Sequence, residues 1–358
     1  MKKKLLAIAL TAVMALSLAA CGGGGDKPAD TSAEATTAAA EETTTAAESK
    51  ASEAKAPAGD GVADDLGEVK AAKAYKFGLS MPVRDQWQSE FEAANKAEAE
   101  NQGAELTVVD ANNNMNTQIQ NVQTFASQGC DAIIVGLVNT DSAQQVLDAA
   151  NGIPVVFANR RPAIELEQGK ATYVGSDERY AGQLQGEFLA KYFKEKGITE
   201  PKVVMLQGVL GLEAVQNRTA GAKEALDKAG LKYEIVYEDT AEWDRAKAQN
   251  KIQTFLGTGK DFDCIIANND EMALGAIEAL KGAGKNPADT PVLGIDATEQ
   301  GLTALEAGDL AFTVFQNAEG QGRGSVRSAV KFANGEDMGT LVDIAFEPVD
   351  SSNFQDYK

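Results

Sequence analysis

The chain has 358 residues, a formal net charge of -20 and no histidine. That length suits two domains, and the acidic balance argues against nucleic acid, whose phosphates would be repelled. Lack of histidine removes the commonest general base and metal ligand, and with them every Ser-His and Cys-His mechanism. An enzyme working through carboxylates or lysine remains conceivable, but no catalytic residue, cofactor or metal site is expected.

At the amino terminus, Lys2, Lys3 and Lys4 precede an apolar run, residues 5–18, that is too short for a comfortable membrane span and ends in small residues. Residues 1–20 therefore read as an export signal. The run Leu18-Ala19-Ala20-Cys21 resembles the lipobox of bacterial lipoproteins, which implies cleavage before Cys21 and acylation of its thiol. Residues 21–73 are rich in Gly, Ala, Thr, Ser and Glu and lack aromatics. Such a segment buries too little surface to offset chain entropy and reads as a disordered tether. The other cysteines, Cys130 and Cys264, sit beside apolar runs and read as small buried side chains with no disulfide.

From residue 75 short apolar runs alternate with amphipathic stretches. The pattern predicts strands at 75–79, 106–109, 132–135 and 155–158, with helices near 86–102, 116–128 and 142–150 between them. Gly103, Gly129 and Gly152-Ile-Pro154 punctuate the order. The plan then repeats, with strands at 203–206, 233–237, 264–267 and 292–295 and helices near 213–228, 245–256 and 271–280. Asp131-Ala-Ile-Ile134 matches Asp263-Cys-Ile-Ile266, and Asn159 and Asp296 each lie five positions past a proline, Pro154 and Pro291. This reads as duplication of a doubly wound half. A strand at 311–315, a helix at 319–333 and a last strand at 341–346 are surplus elements that could cross back and tie two lobes together.

The stretch 264–280 organises the second half. A buried strand ends in Asn268-Asn269-Asp270 and turns at once into a helix, and ligands of open α/β sheets bind at that end of the strands. Asp270 reads as the helix N-cap, leaving Asn269 free to face a ligand. Two lobes facing each other would set Ser80, Asn159, Asn269 and Asp296 around one cleft, Ser80 reading as support behind it.

Several motifs in this order carry a family resemblance: Phe77-Gly-Leu-Ser80, Val155-Val-Phe-Ala-Asn-Arg160, Tyr173-Val-Gly-Ser-Asp177, Leu206-Gln-Gly208 followed by Arg218, Trp243-Asp244, Ala267-Asn-Asn-Asp-Glu-Met-Ala-Leu-Gly275, Gly294-Ile-Asp296 and Thr313-Val-Phe-Gln-Asn317. From about residue 76 onward the chain resembles the type I periplasmic binding proteins of bacterial sugar ABC transporters, relatives of the ribose and glucose/galactose binders. The resemblance implies an α/β fold of two Rossmann-like, doubly wound parallel-sheet lobes joined by a three-strand hinge. Residues 74–175 plus 317–342 would form the N-terminal lobe, and 176–316 plus 343–358 the C-terminal lobe. It implies a monomer outside the cytoplasm, held to the cell membrane by lipid on Cys21, that captures a monosaccharide and delivers it to an ABC permease. The alternative within the same fold is a sensor lipoprotein reporting a sugar or related signal to a membrane receptor.

Carried over position by position, the ligand groups are Asp85, Trp87, Asn159, Arg160, Arg218, Trp243, Asn269, Asp296 and Gln316. The chemistry suits a sugar. Indole faces accept a C–H patch, and Trp87 and Trp243, the only two tryptophans, both lie among polar neighbours. Asn and Gln donate and accept, Asp accepts and Arg donates as a planar fork, which together match vicinal hydroxyls. Residue by residue, Asp85 could serve only as an N-cap, Arg218 could pair with a surface carboxylate, Asp296 could be a turn residue, and Arg161 competes with Arg160. Leu212 and Ala214 stand where glucose/galactose binders carry His and Asp, and 191–201 lacks their calcium-ligand spacing. The expected guest is therefore another pentose or hexose, or a polyol. A sugar-responsive repressor would need a DNA-reading helix-turn-helix, and a glycosidase would need a carboxylate pair such as Asp85 with Asp296.

Overall fold

The computed structural model describes Leu66 and residues 68–358; the export signal, Cys21 and all but the end of the tether lie outside the described residues. The first half lays down β1 (Lys76–Met81), α1 (Gln86–Asn101), β2 (Glu105–Asp110), α2 (Met115–Ser127), β3 (Ala132–Val135), α3 (Ala143–Ala150), β4 (Val155–Ala158) and β5 (Ala171–Gly175). The second half follows with α4 (Glu178–Lys196), β6 (Lys202–Gln207), α5 (Glu213–Lys228), β7 (Glu234–Thr240), α6 (Arg245–Leu256), β8 (Cys264–Ala267), α7 (Asp270–Gly282), β9 (Val292–Leu293), α8 (Glu299–Glu306) and β10 (Thr313–Gln316). Helix α9 (Ala318–Ala333) and strands β11 (Leu341–Asp343) and β12 (Phe346–Val349) complete the chain.

Strands in the first sheet run in the order β11-β5-β4-β3-β1-β2, all parallel. The second sheet runs β7-β6-β8-β9, also parallel. It continues through the parallel bridges Leu293–Phe312 and Asp296–Phe315 to β10, which pairs antiparallel with β12. Successive strand residues face opposite sides of each sheet. On β3, Ala132 and Ile134 join the core under α1 and α9, while Ile133 and Val135 join the core under α2 and α3. On β8, Ile265 and Ala267 face one helical layer and Cys264 and Ile266 the other. Burying both faces is why these strands read as unbroken apolar runs. Cys130 and Cys264 are buried and unpaired.

The two lobes repeat in detail. Asp131 accepts the Lys76 amide at 2.8 Å, and Asp263 accepts the Lys202 amide at 2.7 Å. Pro154 O accepts from Ile133 N, and Pro291 O from Ile265 N, both at 3.0 Å. Ala111 N binds Met81 O and Ala241 N binds Gln207 O, both at 2.8 Å, which opens the same turn in each lobe.

Several elements differ from the sequence expectation. The stretch 341–346 is two strands rather than one. Val342, Ile344 and Phe346 keep a period of two, but Val342 and Ile344 pack in the first lobe and Phe346 in the second. The chain therefore changes sheets inside an apolar run. It also crosses between Gly175 and α4 and between Gln316 and α9. No element was expected where β5, α4 and α8 occur; Thr172 and Gly175 interrupt the apolar run of β5, and α8 spans only 8 residues. Asn269, not Asp270, caps α7, its side chain accepting from Met272 N at 3.0 Å.

Candidate functional site

The carboxyl ends of both sets of strands open onto one cleft with about 450 Å³ of atom-free space, and every ligand residue expected from the sequence borders it. Asp85 caps α1, accepting from Gln88 N at 2.7 Å, so the capping role and the cleft position hold together. Burial pushes its carboxyl above the usual range, while the Gln88 amide and Arg160 pull it back. Trp87, two residues on, is 5% exposed. Its ring stacks on Phe91 at 5.6 Å and 10°, and its Nε1 donates to Gln316 O at 2.9 Å. It is thus backed by the first core while still bordering the cleft.

Asn159 and Arg160 follow β4. Asn159 Oδ1 accepts from Gln88 Nε2 at 3.2 Å, and Arg160 donates to Leu137 O at 2.9 Å. Burial lowers the Arg160 pKa to about 10, against Asp85. Arg161 instead lies over the Tyr173 ring at 4.6 Å, which settles which of the adjacent arginines meets the cleft.

In the second lobe Arg218 is almost fully buried. It donates to Glu178 at 2.5 Å, to Asn268 O at 2.7 Å and to Gln316 Oε1 at 3.2 Å, and lies 5.6 Å from the Trp243 ring centre. Its partner is a buried carboxylate rather than the surface one considered from sequence. Burial opposes its charge, but Glu178 and Asp296 outweigh burial and raise its pKa. Asp296 is 7% exposed, its pKa pushed well above the usual range by burial against the pull of Arg218. Gln316 uses Oε1 on Arg218, while its Nε2 is buried without a partner among the described residues. Trp243 rests on Gly208, where a Cβ would meet the indole at 2.2 Å; that close approach explains the glycine just past β6.

Backbone strain gathers here. Asn159 (φ 63°), Trp243 (φ 66°) and Asp296 (φ 130°) all occupy positive φ, as do Glu242 and Ala297. Such conformations cost about 1–3 kcal/mol each and persist only where the surroundings enforce them.

Ser80 is fully buried behind the cleft rather than on it, its hydroxyl accepting from Asn121 at 3.4 Å. Sequence reading missed Gln88 and Glu178 as lining residues, and passed over Leu212 and Ala214, seen only as departures from a pattern. Glu178 directly follows Asp177, which caps α4, and that pairing was the available signal.

A family model described as the periplasmic binding protein domain matches residues 77–337. A protein of Rhizobium meliloti named for rhizopine binding is 39% identical over 260 residues, 72% of this chain and 83% of that one. A D-galactose/methyl-galactoside binding periplasmic protein of Haemophilus influenzae is 32% identical over 276 residues, 71% and 82% of the two chains. Among solved structures, an ABC transporter solute binding protein of Bacillus halodurans with bound myo-inositol superposes with a TM-score of 0.73 at 37% identity, covering 81% of this chain and 98% of that one.

Proposed function

Because the chain belongs to the family of periplasmic binding protein domains, we propose that its cleft captures a neutral, many-hydroxyl ring and delivers it to an ABC permease from outside the cytoplasm. The guest is a monosaccharide, a pentose or hexose, or a ring polyol of that size. Relatives named for rhizopine and galactose binding, and a solute binding protein solved with myo-inositol bound, support that range. In this reading Trp87 and Trp243 take the C–H faces, and the surrounding amides, carboxylates and guanidinium groups take the hydroxyls. The protein works as a monomeric carrier, tethered to the membrane by lipid on Cys21, and performs no chemistry on its guest.

The observation that carries the reading is Gln316. Buried amide groups are nearly always paired, and its Nε2 waits beside the cleft with no partner among the described residues. A ligand hydroxyl completes it. Leu212 and Ala214 add apolar lining where a more polar wall would narrow the choice of guest.

The test is a thermal-shift screen of the purified protein with D-ribose, D-galactose, D-glucose and myo-inositol. A guest at about 100 times its Kd stabilises by about 2.7 kcal/mol. No shift with any of them would overturn the proposal.

A further inference from the structure

Asp270 is fully buried, lies just inside the capped start of α7, and is not among the residues bordering the cleft. The aligned dipoles at a helix start favour a carboxylate there. The Asp270 carboxylate turns this to use on a neighbouring segment. Its Oδ2 accepts from Thr298 N at 2.9 Å and from Thr298 Oγ1 at 3.3 Å. Its Oδ1 accepts from Thr313 Oγ1 at 2.7 Å, and that same hydroxyl oxygen accepts from Ala297 N at 3.2 Å. The Asp270 amide donates to Ile295 O at 2.7 Å. Asp270 therefore holds Ile295 and Thr298 directly and Ala297 through Thr313.

The residue enclosed by these bonds is Asp296. Its backbone sits at φ 130°, with Ala297 at φ 53°. Backbone conformations of this kind are not self-supporting, and strain of about 1–3 kcal/mol needs an external restraint. The fold also makes room for that restraint. A Cβ on Gly294 would stand 2.1 Å from Asp270 Oδ1, and one on Gly301 would stand 2.2 Å from Oδ2. A carboxylate in a recess walled by two glycines, with donors from two threonines, is a shaped seat.

We propose that Asp270 is a positioning residue, which pins the strained turn 295–298 and so aims the Asp296 carboxylate into the cleft. The proposal rests on Asp296 being a ligand group, as argued above. A merely structural role would couple α7 to α8 and leave the affinity of the cleft alone.

The test uses Asp270→Asn in the purified protein, with two readouts. In the ligand-free state, hydrogen exchange at the Ala297 and Thr298 amides should quicken at least tenfold; unchanged exchange would overturn the pinning. With D-ribose, D-galactose, D-glucose and myo-inositol as probes, affinity for any that binds the wild type should fall at least tenfold. The same change made in an Asp296→Asn background should cause no further loss, whereas additive losses would overturn the action through Asp296. If Asp270→Asn fails to fold, Gly301→Ala keeps every polar group, crowds the carboxylate and carries the same expectations. If the wild type binds none of the probes, the sugar reading of the cleft fails, and the exchange arm still decides whether Asp270 holds the turn.

Discussion

Arg218 Nε lies 2.5 Å from Glu178 Oε2, and both side chains are all but sealed from solvent. The pair joins the start of α4 to the body of α5 and leaves the other guanidinium nitrogens for Asn268 O and Gln316. Removing one partner of a buried pair strands the other charge, at a cost of about 3–5 kcal/mol. Glu178→Ala should lower the urea-unfolding free energy by that amount and weaken ligand capture with it. Unchanged stability would mean that water reaches Arg218.

Trp243 offers a direct optical check. Trp243→Ala should diminish the sugar-dependent change in tryptophan fluorescence, leaving the share from Trp87, and weaken binding by about tenfold, the loss of about 1.4 kcal/mol. Titration that returns wild-type affinity would remove Trp243 from the site.

Asp296 sets function against stability. Glycine adopts positive φ without strain, so Asp296→Gly should raise the unfolding midpoint, recovering part of about 1–3 kcal/mol while also relieving a buried carboxyl. Calorimetry on the same variant should show binding weakened by about 1–3 kcal/mol, since ligand donors lose their acceptor. A variant that is both less stable and fully competent to bind would contradict the assignment.

The acid–base behaviour follows from burial. Asp270 is pushed up to about 7, chiefly by burial, against hydrogen bonds from Thr313 and Thr298. Burial likewise raises Asp85, Glu213 and Asp296. Unfolded aspartates titrate near about 3.9, so the folded state holds these protons more tightly. The stability Asp270 contributes is thus fully present below about pH 4 and is lost as pH rises through about 7, at about 1.4 kcal/mol per unit. Thermal unfolding at pH 5.5 and 8 should show the higher midpoint at the lower pH, and Asp270→Asn should flatten that difference. An equal slope in the variant would show that other groups carry it.

EDTA should leave the melting temperature unchanged, because the 191–201 segment lacks calcium-ligand spacing. A fall in melting temperature, restored by calcium, would reveal a metal site.

What the sequence determined by itself is what short-range rules govern. Strand and helix periods located most of the elements, though not β5, α4 or α8, because burying both faces of a parallel sheet leaves unbroken apolar runs. The repeat of Asp131 in Asp263 and of Asn159 in Asp296 exposed the twin lobes, because each pair serves the same local turn or strand end. The cleft residues were legible for the same reason, since ligand groups cluster where strands end.

Tertiary structure alone decided what depends on contact between distant segments. Asn269 and Asp270 are both good caps, and only the seat formed by Thr298, Thr313 and two glycines gave the cap to one and the turn to the other. Glu178 meets Arg218, and the Gln316 amide is left waiting, because packed helices and crossing strands bring them together. The run 341–346 divides between two lobes because apolar alternation records burial but not which core does the burying.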